Sequence, residues 1–334
     1  VRPLEVRILV GDELEQLEVF LGSHPVGPFT YMADEPGTGL LAFWLGQLRA
    51  LSELPDGLVM AALSAGKVVG LVACGSSPWE SRVLGHRFAN LAYLAAATET
   101  EGVEVLRRLL HELETRARDS GVEVLVAKPC SDTLDVVRVL QGVGYTLVDS
   151  IVEYVADLRG GTVQAAVEGP PTERTTLRPA QPEDVTALRS VARAAFERHF
   201  GRFHADARIE PSRARAVYEE WISACCGGYA DAVILAEVDG VVRGYSAWRR
   251  PTEPELSSGL RLGHYSIGAV HPECIGRRVF QSVTAEGMRW MRAHADLVEG
   301  PTHTANYSVQ RAYAKLGWVC RRARYSFHKW LESR

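Results

Sequence analysis

Asn306 and Tyr313 stand seven residues apart in the stretch Ala305-Asn306-Tyr307-Ser308-Val309-Gln310-Arg311-Ala312-Tyr313-Ala314-Lys315-Leu316-Gly317-Trp318. Seven residues is about two α-helical turns, so the two side chains share a face. A tyrosine so placed can carry a proton to a nearby leaving group. Asn306 suits an N-cap, because its side-chain carbonyl can accept from an orphan amide one turn in. Val309, Ala312, Tyr313 and Leu316 follow at helical spacing as one face. Lys315 falls in the last turn and Gly317 reads as a C-cap. The plainer reading of the same pattern is a buried amphipathic helix whose tyrosine fills core volume.

A second group lies upstream, in Val270-His271-Pro272-Glu273-Cys274-Ile275-Gly276-Arg277-Arg278-Val279-Phe280. A strand is expected over residues 262–270 and a helix from this turn to about residue 293. Amides at a helix N-terminus are unpaired and face outward, which makes a site for a diphosphate. Gly276 allows close backbone approach, and Arg277 and Arg278 add positive charge. An ordinary strand-to-helix turn is the alternative. A third group is the loop 198–208, with two histidines, two phenylalanines and three arginines. An imidazole suits a general base near neutral pH. His199 and His204 lie in this loop, and His264 lies on the predicted strand. His199 also ends a predicted helix, where histidine commonly pairs with the dipole. A water chain is the remaining candidate for the base.

These groups sit in a chain that repeats itself. Residues 7–10 match 178–181, residues 66–70 match 240–244, and residues 140–145 match 313–318, at a nearly constant separation of about 170 residues. A period this long means two copies of one domain. Residues 159–174 open with glycines and carry Pro170-Pro171, which marks a linker. Each copy reads as strand, two helices, three strands, helix, strand, helix, strands. That order predicts an α/β sheet. The first copy has Leu140 where the second has Tyr313, and leucine has no proton to give. Glu99 and Glu101 at the start of its long helix would repel a diphosphate.

The totals bound the rest. The 334 residues suit two domains, and 46% hydrophobic with 23% charged residues is a globular composition. A net charge of −4 argues against a nucleic-acid partner. No apolar run is long enough to span a bilayer, and residues 1–7 are broken by charges unlike a signal peptide. Six scattered cysteines form no CxxC pair and no zinc spacing, so a cytoplasmic location and no metal are expected.

The 305–318 stretch resembles the final motif of the GCN5-related N-acetyltransferases (GNATs), written N-x-x-A-x-x-x-Y-x-K-L-G-F. The turn after residue 270 resembles their V-x-P-x-x-R/Q-G-x-G-x-G/A motif through Val270, Pro272 and Gly276. It is shorter by about three residues and has one glycine where the family has two or three. The resemblance implies two tandem GNAT-like domains, each a mixed, mostly antiparallel sheet flanked by helices. It places a degenerate domain at 1–158 and a catalytic domain at 175–334. It implies an acyl-CoA co-substrate and Tyr313 as general acid to the departing thiolate. Asn306 would fix its helix against that co-substrate. Main-chain groups at Ile267, Ala269 and Val270 would meet the thioester, and Cys274, Ile275, Gly276, Arg277 and Arg278 would cradle the pyrophosphate. His199 or His264 would serve as base, and Phe200, Phe203 and His204 would line the acceptor site.

The second copy is similar to N-acetyltransferases of nucleotide-linked amino sugars. The tandem arrangement resembles the teicoplanin-type glycopeptide antibiotic N-acyltransferases, which attach a fatty acyl chain to a glucosamine. An amino-sugar or glycopeptide acceptor is therefore the expectation. A non-catalytic acyl-CoA-binding module and a mycothiol-synthase-like enzyme are the alternatives.

Overall fold

A computed structural model describes residues 3–97, 101–160 and 175–332. The expected linker lies outside the described residues from position 161 on, as do Thr98, Glu99 and Thr100 of the acidic turn. The contacts divide into two compact units: Val1–Ser150 with Ala323–Arg334, and Ile151–Arg322.

The first half of the chain runs β1 (Leu4–Ile8), α1 (Leu17–Ser23), α2 (Leu40–Ser52), β2 (Leu58–Ser64), β3 (Lys67–Ser76), α3 (Pro78–Leu84), β4 (Phe88–Ala96), α4 (Gly102–Asp119), β5 (Val124–Ala127), α5 (Leu134–Gly142) and β6 (Thr146–Asp157). The second half runs β7 (Thr175–Pro179), α6 (Val185–Phe196), α7 (Arg202–Ala205), α8 (Pro211–Ala224), β8 (Ala232–Val238), β9 (Val241–Arg249), α9 (Glu253–Ser257), β10 (Leu262–Val270), α10 (Val279–Met291), β11 (Leu297–His303), α11 (Tyr307–Lys315) and β12 (Val319–Trp330). The expected alternation is present. The short helices α7 and α9 and a π-helical turn at Cys225–Tyr229 add to it. Helices of one turn leave no periodic signature in a sequence.

Each unit has a mixed sheet, antiparallel except at one pair. In the first, β1 to β4 pair antiparallel in order, β4 pairs parallel to β5, and residues 327–330 of β12 close on β5 antiparallel. In the second, β7 to β10 pair antiparallel in order, β10 pairs parallel to β11, and Ile151–Asp157 of β6 closes on β11 antiparallel. The parallel pairs need long crossovers, which α4 and α10 supply.

The last strands are therefore exchanged. The tail of the first half serves the second unit, and the C-terminal segment serves the first. This differs from cuts at 158 and 175. Sequence similarity registers a duplication, but it carries no information about which sheet a final strand joins.

The cores follow the same division. Val105, Leu106, Leu109, Leu110 and Leu113 line one face of α4 and pack on Met60, Val72 and Leu125, together with Phe327 and Leu331. Burying each such side chain is worth about 1.5–3 kcal/mol. In the second unit, Trp248, Tyr265, Met288, Tyr313 and Trp318 pack with Ala156 and Leu158. Among the described residues, no helix is long and apolar enough to cross a membrane.

Candidate active site

The ladder between β10 and β11 holds only at Leu262–Leu297, Gly263–Val298 and His264–Glu299. Both strands continue beyond it, β10 to Val270 and β11 to His303. Past His264 and Glu299 they part, so the edge of β10 facing β11 has no ladder over Ile267, Ala269 and Val270. The opposite edge is occupied by β9, with a bulge at Ser266 between Tyr265 and Ile267. An unpaired strand edge presents a row of backbone donors and acceptors.

Tyr313 sits where the strands part. The local reading of its helix holds: Asn306 Oδ1 accepts from the Val309 amide at 3.4 Å and from the Ser308 hydroxyl at 3.0 Å, and Gly317 adopts φ +80°. The Tyr313 ring is 1% exposed. It stacks on Trp318 with centroids 4.6 Å apart and meets Tyr265 of β10 at 6.0 Å and Phe280 of α10 at 6.1 Å. Its hydroxyl lies over Gly300, one residue past the last paired position of β11; a Cβ there would come within 2.9 Å of it. Burial raises its pKa well above the usual phenol value, so the proton is retained at neutral pH.

The turn between β10 and α10 is more internally bonded than expected. The amides of Cys274, Ile275 and Arg277 donate to the carbonyls of His271, Pro272 and Cys274. Cys274 packs inward against Val279 and Val283, while Ile275 is 72% exposed. Gly276 takes φ +85° and Arg278 takes φ +63° just before the helix. What remains for an anion is the first turn of α10, whose amides have no partner inside the helix. Glu273 is engaged by Arg243 at 3.0 Å.

Searched against protein-family models and curated proteins, the chain matches none. Among solved structures it is similar to a tandem GNAT protein of the clavulanic acid biosynthesis pathway, with 14% identity, 99% of each chain covered and a TM-score of 0.59. It is similar to a GCN5-related N-acetyltransferase from Sphaerobacter thermophilus, with 14% identity, coverage of 99% and 98%, and a TM-score of 0.61. It also resembles the GCN5-related glucosamine N-acetyltransferase region of a fungal multi-domain GH3 β-N-acetylglucosaminidase, with 16% identity and a TM-score of 0.62, over 98% of this chain and 38% of that one. The chain has the tandem GNAT fold.

Within the second GNAT unit, the loop histidines gather into an aromatic cluster. The His199 ring lies 5.2 Å from Phe196, 5.0 Å from Tyr218, 5.2 Å from Phe200 and 6.0 Å from His204. Burial, helped by His204 and His303, lowers the His199 pKa to about 4, so it is neutral at pH 7. Burial also lowers the His204 pKa, and both ring nitrogens of His204 are shielded without a hydrogen-bond partner. Phe200 is 47% exposed and meets His303 edge-on at 4.6 Å. Phe203 departs from the expected lining role: it is buried, with the Arg202 guanidinium 4.1 Å from its ring centre.

His264 stands apart from that cluster. Its Nε2 lies 3.0 Å from Glu255 and its Nδ1 lies 2.9 Å from Glu299. Burial alone would lower its pKa, but the bonds to the two carboxylates prevail and hold it at about 9. As an imidazolium donating from both nitrogens it has no lone pair for an amine proton. The expected base role does not suit this geometry; the residue clamps α9 and β11 at the last paired rung.

Sequence reasoning also missed His303, Glu255, Glu299 and Tyr154. Their partners are distant in the chain, and no spacing rule joins them. His303 Nδ1 accepts from the Ala305 amide at 2.9 Å, so a neutral ring carries its proton on Nε2.

The His264 clamp predicts a pH effect. Its folded pKa lies above the unfolded value of about 6.5, so its stabilisation is complete below that value and is lost as pH rises through about 9. The expected loss is at most about 3 kcal/mol by linkage. Thermal unfolding from pH 7 to 10 should show the decline, and His264→Gln should remove that step. Equal pH profiles for the two proteins would discard the clamp.

Proposed function

We propose that the protein is an acyl-CoA-dependent N-acyltransferase whose chemistry resides in the second unit. The observation that carries this reading is the Tyr313 hydroxyl over Gly300, at the point where β10 and β11 separate. The acyl donor would lie along the open edge of β10, at Ile267, Ala269 and Val270. Its diphosphate would meet the first-turn amides of α10, with Gly276, Arg277 and Arg278 beside them.

Acyl transfer to an amine requires a free amine lone pair, a stabilised oxyanion and a protonated leaving group. His199, neutral at pH 7 but made a weak base by a pKa of about 4, is the proposed proton acceptor. It takes the proton that the amine nitrogen sheds once it has attacked the carbonyl and become strongly acidic. Backbone donors already fixed on β10 stabilise the oxyanion without reorganising. The carbon–nitrogen bond forms, the carbon–sulfur bond breaks, and Tyr313 gives its proton to the departing thiolate. The first copy has no equivalent phenol, since Leu140 is fully buried where Tyr313 stands in the second. Residues 1–158 are proposed as a copy without catalysis, and 175–334 as the catalytic one.

The proposed acceptor is an amino sugar, and within that class the glucosamine of a teicoplanin-type glycopeptide carrying a long acyl chain. Support comes from the half-exposed Phe200, stacked beside His199 and edge-on to His303, an aromatic surface suited to the face of a sugar ring. The similar fungal region is itself a glucosamine N-acetyltransferase. The test mixes the protein with acetyl-CoA or decanoyl-CoA and a panel of amino sugars, and follows free thiol. Amine-dependent thiol release is expected. Acyl-CoA binding without thiol release for any acceptor would replace the enzyme with a binding module.

A further inference from the structure

Tyr154 belongs to the first half of the sequence, yet it packs against the core of the second unit. It stands on β6 directly across from Gly300 of β11, the glycine beneath the Tyr313 hydroxyl. Its ring lies 5.4 Å from the Tyr313 ring at 49°. Gly300 has no side chain, and the space a Cβ would take is filled by the Tyr313 hydroxyl and the Trp318 ring.

The Tyr154 hydroxyl donates to Gln310 Oε1 at 3.3 Å. Gln310 Nε2 donates to the Thr304 carbonyl at 2.7 Å and to the His303 carbonyl at 3.3 Å. Both ends of the amide are thus engaged, and its orientation follows from its partners. The Asn306 amide donates to the same His303 carbonyl at 2.9 Å. One network therefore ties β6 to the end of β11 and the first turn of α11. Gln310 precedes Tyr313 by three residues and is its neighbour on the helix. Helix α11 has nine residues, too few to hold its own position in water.

We propose that Tyr154 is a positioning residue for Tyr313, supplied to the second unit's site by the first half of the chain. This rests on the reading of Tyr313 as proton donor. The ring of Tyr154 limits where the Tyr313 ring can lie, and its hydroxyl fixes the helix that carries Tyr313. A displacement of about 1 Å at a proton donor is enough to cost on the order of a hundredfold in rate.

Tyr154→Phe keeps the ring and removes the bond to Gln310. Its kcat should fall about tenfold while KM for acetyl-CoA stays within about twofold. On a Tyr313→Phe background the same change should cause no further loss, because it acts through Tyr313. An unchanged kcat, or losses that multiply in the double variant, would overturn the proposal. If the wild-type protein shows no turnover, 3-fluorotyrosine at position 313 decides instead. Its fluorine resonance should shift or broaden in Tyr154→Phe, which would sustain the positioning role while the acyltransferase reading falls. An unchanged resonance in that case would reject both.

Discussion

A chain ending at Arg322 should keep a folded second unit and lose the first. Residues beyond that point belong to the first unit, where 327–330 pair with β5. Phe327 is fully buried and Leu331 is 8% exposed in the same core as α4. Removing two such side chains costs about 5–10 kcal/mol. Lys329 donates to Glu114, which is itself buried, and to the Val143 carbonyl at 2.7 Å. Leaving a buried carboxylate without its partner adds about 3–5 kcal/mol. The sum matches the whole stability of an ordinary domain, about 5–15 kcal/mol. Hydrogen exchange should show protection lost over residues 4–150 and kept over α10 and α11. Persistent protection of α4 in the shortened chain would mean that the exchanged strand is dispensable.

The second large effect concerns the phenol. Tyr313→Phe should lower kcat by about a hundredfold or more, the usual contribution of a positioned general acid. Affinity for acyl-CoA should stay within about twofold, because the ring and its stacking on Trp318 remain. Stability should change little, since the hydroxyl lies against Gly300 and its loss leaves a gap of one atom. Single-turnover thiol release separates the two effects. An unaltered rate would take Tyr313 out of the mechanism and return its ring to a packing role.

How far the sequence could be read depended on the reach of each interaction. The Tyr313 helix was legible because its signals are local: a cap at Asn306, a periodic face and Gly317 just after the last turn. Gly276 was legible as a turn glycine, but the left-handed Arg278 and the internally bonded amides before it were not, because arginine carries no turn signature. His264 read as a candidate base on a strand. Glu255 and Glu299 define its chemistry, and only the folded sheet brings them to it. Phe203 and Phe200 looked alike in the loop, and the fold sent one inward and left the other half exposed. The duplication was visible, whereas the exchange of final strands was not, because either arrangement satisfies the same pattern.

That exchange has a consequence for synthesis on the ribosome. Residues 4–150 emerge well before residues 323–332, which complete their sheet. At typical elongation rates the nascent half must wait roughly ten to thirty seconds for it. During that interval β5, whose four residues are all buried in the finished protein, presents an open apolar edge. The edge stays open until residues 323–332 have been made, so a stop codon between positions 150 and 323 would leave the first unit without the strand that closes it.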